Sequence, residues 1–316
     1  MAAKKIKMVY LDAESLGDVD LSPIARLGEL KVHGLTSEEE KIERMQGYPV
    51  VIVNKLMIDK NSMDACPDLK LICISATGMN NIDLDYAKEK GIEVKNVAGY
   101  STESVAQWTF GMLFYLLHQT RYYDDFVKSG TYAQHPLFTH MDRSFWELKG
   151  KTFGIIGLGT IGKRVATIAS AFGCRVIYYS TSGKNINPDY TSVSLEDLLK
   201  QSDVVSIHAP LNERTNNLIT MKELGFMQPH ALLINVGRGG IVNEQDLASA
   251  IDQNIIHGAG VDVYTREPIL PDHPYLKVKN KDKLVLTPHM VWTSMEARAE
   301  LITKLAYNIS SFYDKK

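Results

Sequence analysis

The sequence lacks several features that mark particular classes of protein. Its charges nearly cancel, with 35 Lys and Arg against 37 Asp and Glu and a net charge of −2. This balance gives no indication of a nucleic acid or an anionic membrane as partner. Only three cysteines occur, without a CxxC pair, namely Cys66, Cys73 and Cys174. They predict no disulfide framework and no metal site, and are typical of reduced, mostly buried thiols in a cytosolic protein.

Long apolar runs are also missing. The most apolar stretch, from Trp108 to Leu117, is too short and too polar at its ends to span a bilayer. The opening residues, MAAKKIK, lead into the strand-like MVYL without an apolar core or a cleavage site, so we expect no signal peptide and a cytoplasmic location. No internal repeat or low-complexity tract is visible. The length of 316 residues predicts two domains, and an apolar content of 45% suffices for sizeable cores.

A glycine-rich turn lies at the centre of the chain, within residues 151–180. A short apolar strand, Thr152 to Ile156, leads directly into GLGTIG, a helix-patterned segment and a second strand, Arg175 to Tyr179. In such a βαβ unit the first glycine allows the tight turn, the second lets a pyrophosphate approach the backbone, and the third lets the helix pack on the sheet. An ordinary glycine-rich turn is the alternative, but the flanking strand and helix favour a dinucleotide site at Gly157, Gly159, Thr160, Ile161 and Gly162.

The end of the second strand lacks the acidic residue that usually binds the ribose hydroxyls of NAD. The residues there are Ser180, Thr181, Ser182, Gly183 and Lys184. A carboxylate at this place repels the 2′-phosphate of NADP, so its absence removes one element of discrimination. We therefore expect NADPH to be accepted and modestly favoured over NADH. The turn contains no arginine, the usual partner of the 2′-phosphate, which argues in the opposite direction.

Apolar runs spaced by helical segments predict a second, smaller α/β domain before residue 98. One of its strands, LKLICIS, ends in the loop SATGMNNID. Ligands of open α/β sheets bind beyond the carboxyl ends of the strands. The backbone N–H groups of Ala76, Thr77 and Gly78 are candidates for binding a small carboxylate, and a plain connecting turn is the alternative.

A long helix, Tyr100 to Gln119, is predicted to be apolar nearly all round and therefore buried between domains or between subunits. The segment from Arg121 to Lys149 is rich in aromatic residues and reads as irregular. Such a segment favours a subunit interface, and a loop packed on its own domain is the alternative. We predict a homodimer built on this helix and segment.

The predicted ends of three successive strands are followed by Arg238, Glu267 and His289. Each has an unremarkable alternative: the arginine can bind phosphate or solvent, the glutamate can be an exposed turn residue, and the histidine can belong to the core. In a doubly wound sheet, however, these strand ends meet at the edge where the cofactor lies. Their combination predicts a catalytic site.

Several motifs in order resemble the D-isomer-specific 2-hydroxyacid dehydrogenase family over nearly the whole length. They are VVIVNK, SATGMNNID, GLGTIG, HAPLNERTNNLI, INVGRGGIVNEQDL, GAGVDVYTREP and TPHMVW. The resemblance implies two Rossmann-like, doubly wound parallel-sheet domains with the active site in the cleft between them. One domain comprises residues 1–98 and 290–316, and the dinucleotide-binding domain comprises residues 99–289.

The resemblance also implies roles for individual residues. It assigns catalysis to Arg238, Glu267 and His289, and the substrate carboxylate to Ala76–Gly78. It places the nicotinamide amide on Asp262, with further cofactor contacts from His208, Pro210, Thr215 and Val236.

The motif PHMVW at residues 288–292, with Trp292 as a substrate contact, resembles the glycerate dehydrogenase branch, which includes hydroxypyruvate and glyoxylate reductases. Pyruvate, as in a D-lactate dehydrogenase, is the nearest rival substrate. Outside the enzyme class, some relatives of this fold are NAD-sensing corepressors, and the three catalytic positions alone do not exclude that function.

Overall fold

The computed structural model describes residues 6–184 and 186–314, so most of the opening MAAKKIK lies outside the described residues. The chain separates into two compact units. The first consists of the chain up to Ser101 together with the segment from Thr293 onward, and the second is Thr102–Trp292. The divisions predicted from the sequence lie at residues 98 and 289.

The described residues form two sheets in which all neighbouring strands are parallel. The strands are β1 (Ile6–Tyr10), β2 (Gly28–Val32), β3 (Val50–Val53), β4 (Leu71–Ile74), β5 (Glu93–Lys95), β6 (Thr152–Ile156), β7 (Arg175–Tyr179), β8 (Thr191–Ser192), β9 (Val204–Ile207), β10 (Leu232–Asn235), β11 (Gly258–Val261) and β12 (Leu284–Leu286). The first unit contains the order β2-β1-β3-β4-β5, and the second contains β12-β11-β10-β9-β6-β7-β8.

Helices connect most of these strands. They are α1 (Ser22–Ala25), α2 (Lys41–Met45), α3 (Lys60–Asp64), α4 (Leu84–Glu89), α5 (Thr102–Leu117), α6 (Thr120–Lys128), α7 (Thr160–Ala171), α8 (Leu195–Gln201), α9 (Met221–Leu224), α10 (Glu244–Asp252) and α11 (Met295–Asp314). No helix in the described ranges combines the length and the apolar character needed to cross a membrane.

The sequence explains why the sheets are parallel and covered on both faces. Every residue of the central strands β3, β4, β9, β10 and β11 is buried. Continuous apolar strands of this kind are typical of sheets with helices on both sides. The predicted fold class, two α/β units with parallel sheets, is confirmed.

The long helix and the segment after it differ from the prediction. Helix α5 buries one face against α7 and the sheet of its own unit, while Gln107, Gly111 and Tyr115 are exposed. The interpretation of residues 121–149 as irregular is wrong at its start, because α6 is helical. This helix buries none of its residues. Instead its aromatic rings pack on the loop that follows, with Phe126 stacked on His140 at 3.9 Å between ring centroids.

Candidate active site

The glycine turn after β6 has the geometry of a phosphate-binding loop. Gly157 has φ of 91°, and a Cβ there would lie 2.8 Å from the Ala209 nitrogen. A Cβ on Gly162 would collide with the carbonyl oxygen of Gly157. Gly159, the N-cap residue of α7, faces open space, and Thr160 and Ile161 open the helix. The turn can therefore admit a diphosphate to the positive end of a twelve-residue helix.

A surface cavity lies beside this turn, at the end of β7. It has a volume of about 410 Å³, and Thr181 and Ser182 line one side of it. Residues 210 and 212–214, from the loop after β9, line the rest. The sequence pattern does not indicate Arg214 at this place, because Arg214 lies in a different loop from the turn at residues 180–184. The cavity thus combines hydroxyl groups with a guanidinium and the neighbouring carboxylate of Glu213.

Three predicted cofactor residues lie deeper at the same sheet edge. His208 is held by a 2.8 Å hydrogen bond between its Nε2 and the Ser206 hydroxyl, and burial lowers its pKa to about 3. Thr215 is fully buried and donates to the Pro210 carbonyl oxygen at 2.7 Å, so its hydroxyl shapes the loop. Val236 is buried directly after β10.

The predicted catalytic residues follow three adjacent strands. Arg238 follows β10, Glu267 follows β11 and His289 follows β12, and these strands lie side by side in the sheet. The Arg238 guanidinium donates to the Gly237 carbonyl oxygen at 2.9 Å, and the residue is half-buried. A Cβ on Gly239 would collide with the Tyr264 carbonyl group, so the arginine loop lies directly against the loop that carries Glu267.

Glu267 and His289 form a direct pair. The Oε2 atom of Glu267 lies 2.6 Å from His289 Nδ1, while its Oε1 accepts from the Tyr264 N–H at 3.0 Å. The His289 side chain is 20% exposed and that of Glu267 is 30% exposed. Since Nδ1 is bound to the carboxylate, His289 presents Nε2 as the atom that can exchange a proton.

Asp262 organises the turn that presents this histidine. It is fully buried and accepts hydrogen bonds from the Thr287 hydroxyl at 2.6 Å and from the N–H groups of Met290 and Val291 at 2.9 and 3.3 Å. His289 itself has φ of 53°, a left-handed conformation that these bonds support. Burial raises the pKa of Asp262 above the usual aspartate range, and the three hydrogen bonds oppose that effect.

Two predicted substrate contacts remain. Trp292 donates from its indole nitrogen to the His289 carbonyl oxygen at 2.9 Å. The Ala76–Gly78 loop belongs to the other compact unit. There the Thr77 hydroxyl donates to the Val97 carbonyl oxygen at 3.1 Å, and Asn96 donates to the Thr77 carbonyl oxygen at 2.6 Å. Both bonds stabilise the conformation of the loop. Neither bond involves a backbone N–H group of residues 76–78.

Comparison with known proteins places these features in a family context. Residues 110–291 match the model of the D-isomer specific 2-hydroxyacid dehydrogenase NAD binding domain. A hydroxypyruvate reductase from Blautia hydrogenotrophica is 34% identical over 97% of each chain. A glycerate dehydrogenase from Methylorubrum extorquens is 36% identical over 97% of this chain and 96% of its own. Among solved structures, an acyclic imino acid reductase in complex with NADPH and D-Arg is similar, with a TM-score of 0.88, 32% identity and 98% of each chain covered.

Proposed function

We propose, since the chain belongs to the D-isomer specific 2-hydroxyacid dehydrogenase family, that it reduces a small 2-oxo acid to the D-2-hydroxy acid, with hydroxypyruvate or glyoxylate as substrate. The observation that carries this proposal is the 2.6 Å contact between Glu267 and His289 at the edge of a dinucleotide-type sheet. A histidine held by a carboxylate at that edge can donate the proton that a carbonyl reduction requires.

The nicotinamide, when bound, supplies the hydride that the carbonyl carbon accepts. The chain must then deliver a proton to the carbonyl oxygen, and His289 does so from Nε2 as an imidazolium. Glu267 favours the charged ring and fixes its orientation through Nδ1. In the reverse direction the same nitrogen removes the proton from the hydroxyl group.

Arg238 orients the substrate in this proposal. Its planar guanidinium binds the 2-oxo acid through charge-assisted hydrogen bonds and polarises the carbonyl group as negative charge develops on its oxygen. The N–H groups of Ala76, Thr77 and Gly78 bind the substrate carboxylate, and Trp292 limits the space beside His289.

The substrate assignment rests on the relatives and on TPHMVW, and a substrate panel tests it. Purified protein is assayed with NADPH or NADH and with hydroxypyruvate, glyoxylate and pyruvate. We expect kcat/KM for hydroxypyruvate or glyoxylate to exceed that for pyruvate. A preference for pyruvate would assign the chain to D-lactate formation, and cofactor binding without turnover would favour the corepressor-like function.

A second candidate function follows from the similarity to the acyclic imino acid reductase. Glyoxylate and pyruvate form imines with amines, and reduction of such an imine needs the same hydride and proton positions. The panel therefore includes each 2-oxo acid with and without methylamine. Turnover that depends on the amine would select imine reduction over carbonyl reduction.

For the cofactor we propose NADPH as the modestly preferred partner, with NADH accepted. Arg214 lines the same cavity as Thr181 and Ser182. Its guanidinium supports this choice, because the turn itself contains no arginine to bind the 2′-phosphate. Lys184 follows in the same turn. The carboxylate of Glu213 in the same cavity works against a 2′-phosphate and keeps the expected preference modest.

We predict that Arg214→Ala will lower kcat/KM for NADPH about tenfold and change that for NADH about twofold or less, because a charge-assisted hydrogen bond contributes ~1.5–3 kcal/mol. Ser180→Asp will shift the preference toward NADH. Glu213→Ala is the matched control, since removing this opposing charge should favour NADPH. If the wild type uses NADH far better and the cofactor ratio is the same in all three variants, this cavity does not bind the 2′-phosphate.

We also propose a homodimer formed through α5 and the aromatic segment 121–149. Within that segment five apolar side chains are more than half exposed, namely Val127 (55%), Leu137 (59%), Phe138 (91%), Met141 (75%) and Phe145 (58%). Exposed apolar groups in one continuous stretch are typical of an interface that a second copy covers.

Phe138→Asp is expected to lower the mass measured by light scattering at micromolar concentration from that of a dimer toward that of a monomer. Ile186, which is 90% exposed in the same unit, gives the matched control Ile186→Asp, which should stay dimeric. A monomer mass for the wild type would contradict the proposed dimer.

A further inference from the structure

A second histidine–carboxylate pair lies next to the loop that carries Glu267. The Nε2 atom of His273 is 3.0 Å from Glu244 Oε2. His273 is 7% exposed, and the side chain of Glu244 is 16% exposed. Glu244 is the first residue of α10, where the helix dipole favours a carboxylate. Nothing in the proposed reaction uses either side chain, although both are shielded from solvent.

The hydrogen bonds determine which form of His273 is present. Its Nδ1 accepts from the Tyr275 N–H at 3.3 Å, as the N-cap of the 3₁₀ turn Pro274–Lys277. An Nδ1 atom that accepts carries no proton, so Nε2 is the ring nitrogen that donates to Glu244. The imidazole therefore links the turn to a fixed carboxylate.

The other oxygen of Glu244 reaches the loop that carries Glu267. Its Oε1 accepts from the Thr265 N–H at 2.7 Å, next to the Tyr264 N–H that donates to Glu267. The two carboxylates thus bind adjacent backbone amides. The Tyr264 hydroxyl also donates to the Thr287 carbonyl oxygen at 2.9 Å, just before His289. The Tyr264–Thr265 peptide is the point where the loops of all three proposed catalytic residues meet, because Gly239 packs against it.

We infer that Glu244 and His273 are positioning residues that fix the Tyr264–Thr265 peptide and, through it, the orientation of Glu267 toward His289. The inference rests on the proposed function, since it assigns the pair a role in the same reaction. Loss of this support lets the Glu267 carboxylate shift relative to the imidazole. A displacement of about 1 Å by a change distant from the reacting atoms can lower the rate about a hundredfold.

Two substitutions separate the two bonds of His273. His273→Asn keeps an acceptor near the Nδ1 position for the Tyr275 N–H but is too short to reach Glu244. His273→Gln reaches Glu244 with its amide but loses the Tyr275 cap. We expect His273→Asn to lower kcat ~10- to 100-fold with a melting temperature near that of the wild type. His273→Gln should keep most of kcat and melt at a lower temperature. In both variants KM for the cofactor should change about twofold or less.

Glu244→Gln provides an independent variant. Its Oε1 still accepts from Thr265, but its amide group opposes the donor on His273, so kcat should fall as in His273→Asn. The control is His230→Ala, which removes a 2.7 Å histidine–carboxylate contact with Asp203 near the opposite ends of the strands. This variant should retain the wild-type kcat.

Rates are expressed per cofactor-binding site, measured by NADPH fluorescence, so that unfolded protein is excluded from the enzyme concentration used to calculate kcat. If His273→Asn and Glu244→Gln both keep the wild-type kcat per site, the pair has a structural role alone and the inference is overturned. If the wild type itself turns over no 2-oxo acid, the proposed function fails instead. The two failures are therefore distinguishable.

Discussion

Replacing His289 by alanine is expected to lower kcat by ~10²- to 10⁴-fold, the usual contribution of a general acid. The imidazole gives its proton only as the carbonyl oxygen develops negative charge, so the binding of NADPH should stay near that of the wild type. Stopped-flow or steady-state oxidation of NADPH measures kcat, and quenching of protein fluorescence measures cofactor binding. The 2.6 Å contact with Glu267 predicts a fall in kcat for Glu267→Gln as well.

The control for this experiment is His257→Ala. His257 precedes β11, at the opposite end of the same sheet, and its backbone N–H donates to the Ala231 carbonyl oxygen. Because that bond involves no side chain, the variant should fold and keep the wild-type kcat. A correctly folded His289→Ala protein with normal turnover would remove His289 from the proposed role.

Arg238→Ala is expected to raise KM for the 2-oxo acid and to lower kcat about 10²- to 10³-fold, the effect of losing one donor to a developing oxyanion. Both parameters change because the guanidinium contacts the substrate in the ground state and in the transition state. Arg238→Lys should restore little activity, since a point charge does not reproduce the planar fork of donors. Substrate dependence of the initial rate gives kcat and KM for each variant.

Arg175→Ala provides the comparison for a lost arginine. Arg175 begins β7, at the opposite edge of the sheet, where it donates to the Thr152 hydroxyl at 3.1 Å. Its removal should affect stability more than kinetics. Unchanged kcat and KM in both Arg238 variants would mean that this side chain faces away from the substrate.

The sequence predicts the strands well because each is a short apolar run between polar turns. The strands β6 and β7 begin and end where the pattern places them, and β4 is two residues shorter at its start and one residue shorter at its end than the predicted run LKLICIS. Short polar helices are harder to predict. Helices α3 and α4 have five and six residues and too few apolar positions to show a period, although Asp59 and Asp83 cap them.

The candidate site is also predicted only in part. Motifs at strand ends are visible in the sequence, whereas contacts between residues distant in the sequence are not. The order of motifs brings Arg238, Glu267 and His289 to neighbouring strand ends, because parallel strands present their carboxyl ends at one edge. The sequence does not show that Arg214 lines a cavity with Ser182, or that His273 meets Glu244. Each of these pairs is separated by about thirty residues and joined only through the packing of loops.

Asp262 illustrates what the pattern leaves open. The resemblance assigns it to the nicotinamide amide, and the structure surrounds its carboxylate with donors from the turn that carries His289. Its identity as an aspartate at a strand end is visible in the sequence. The direction of its side chain is decided by long-range hydrogen bonds, which the sequence alone does not specify.

The most direct test of the central claim is the product formed from hydroxypyruvate. The wild-type protein is incubated with hydroxypyruvate and NADPH, the loss of NADPH absorbance is followed, and the glycerate is resolved by chiral chromatography. The proposed arrangement predicts stoichiometric oxidation of NADPH and formation of D-glycerate. Formation of L-glycerate, or no oxidation of NADPH or NADH with any 2-oxo acid in the panel, would contradict it.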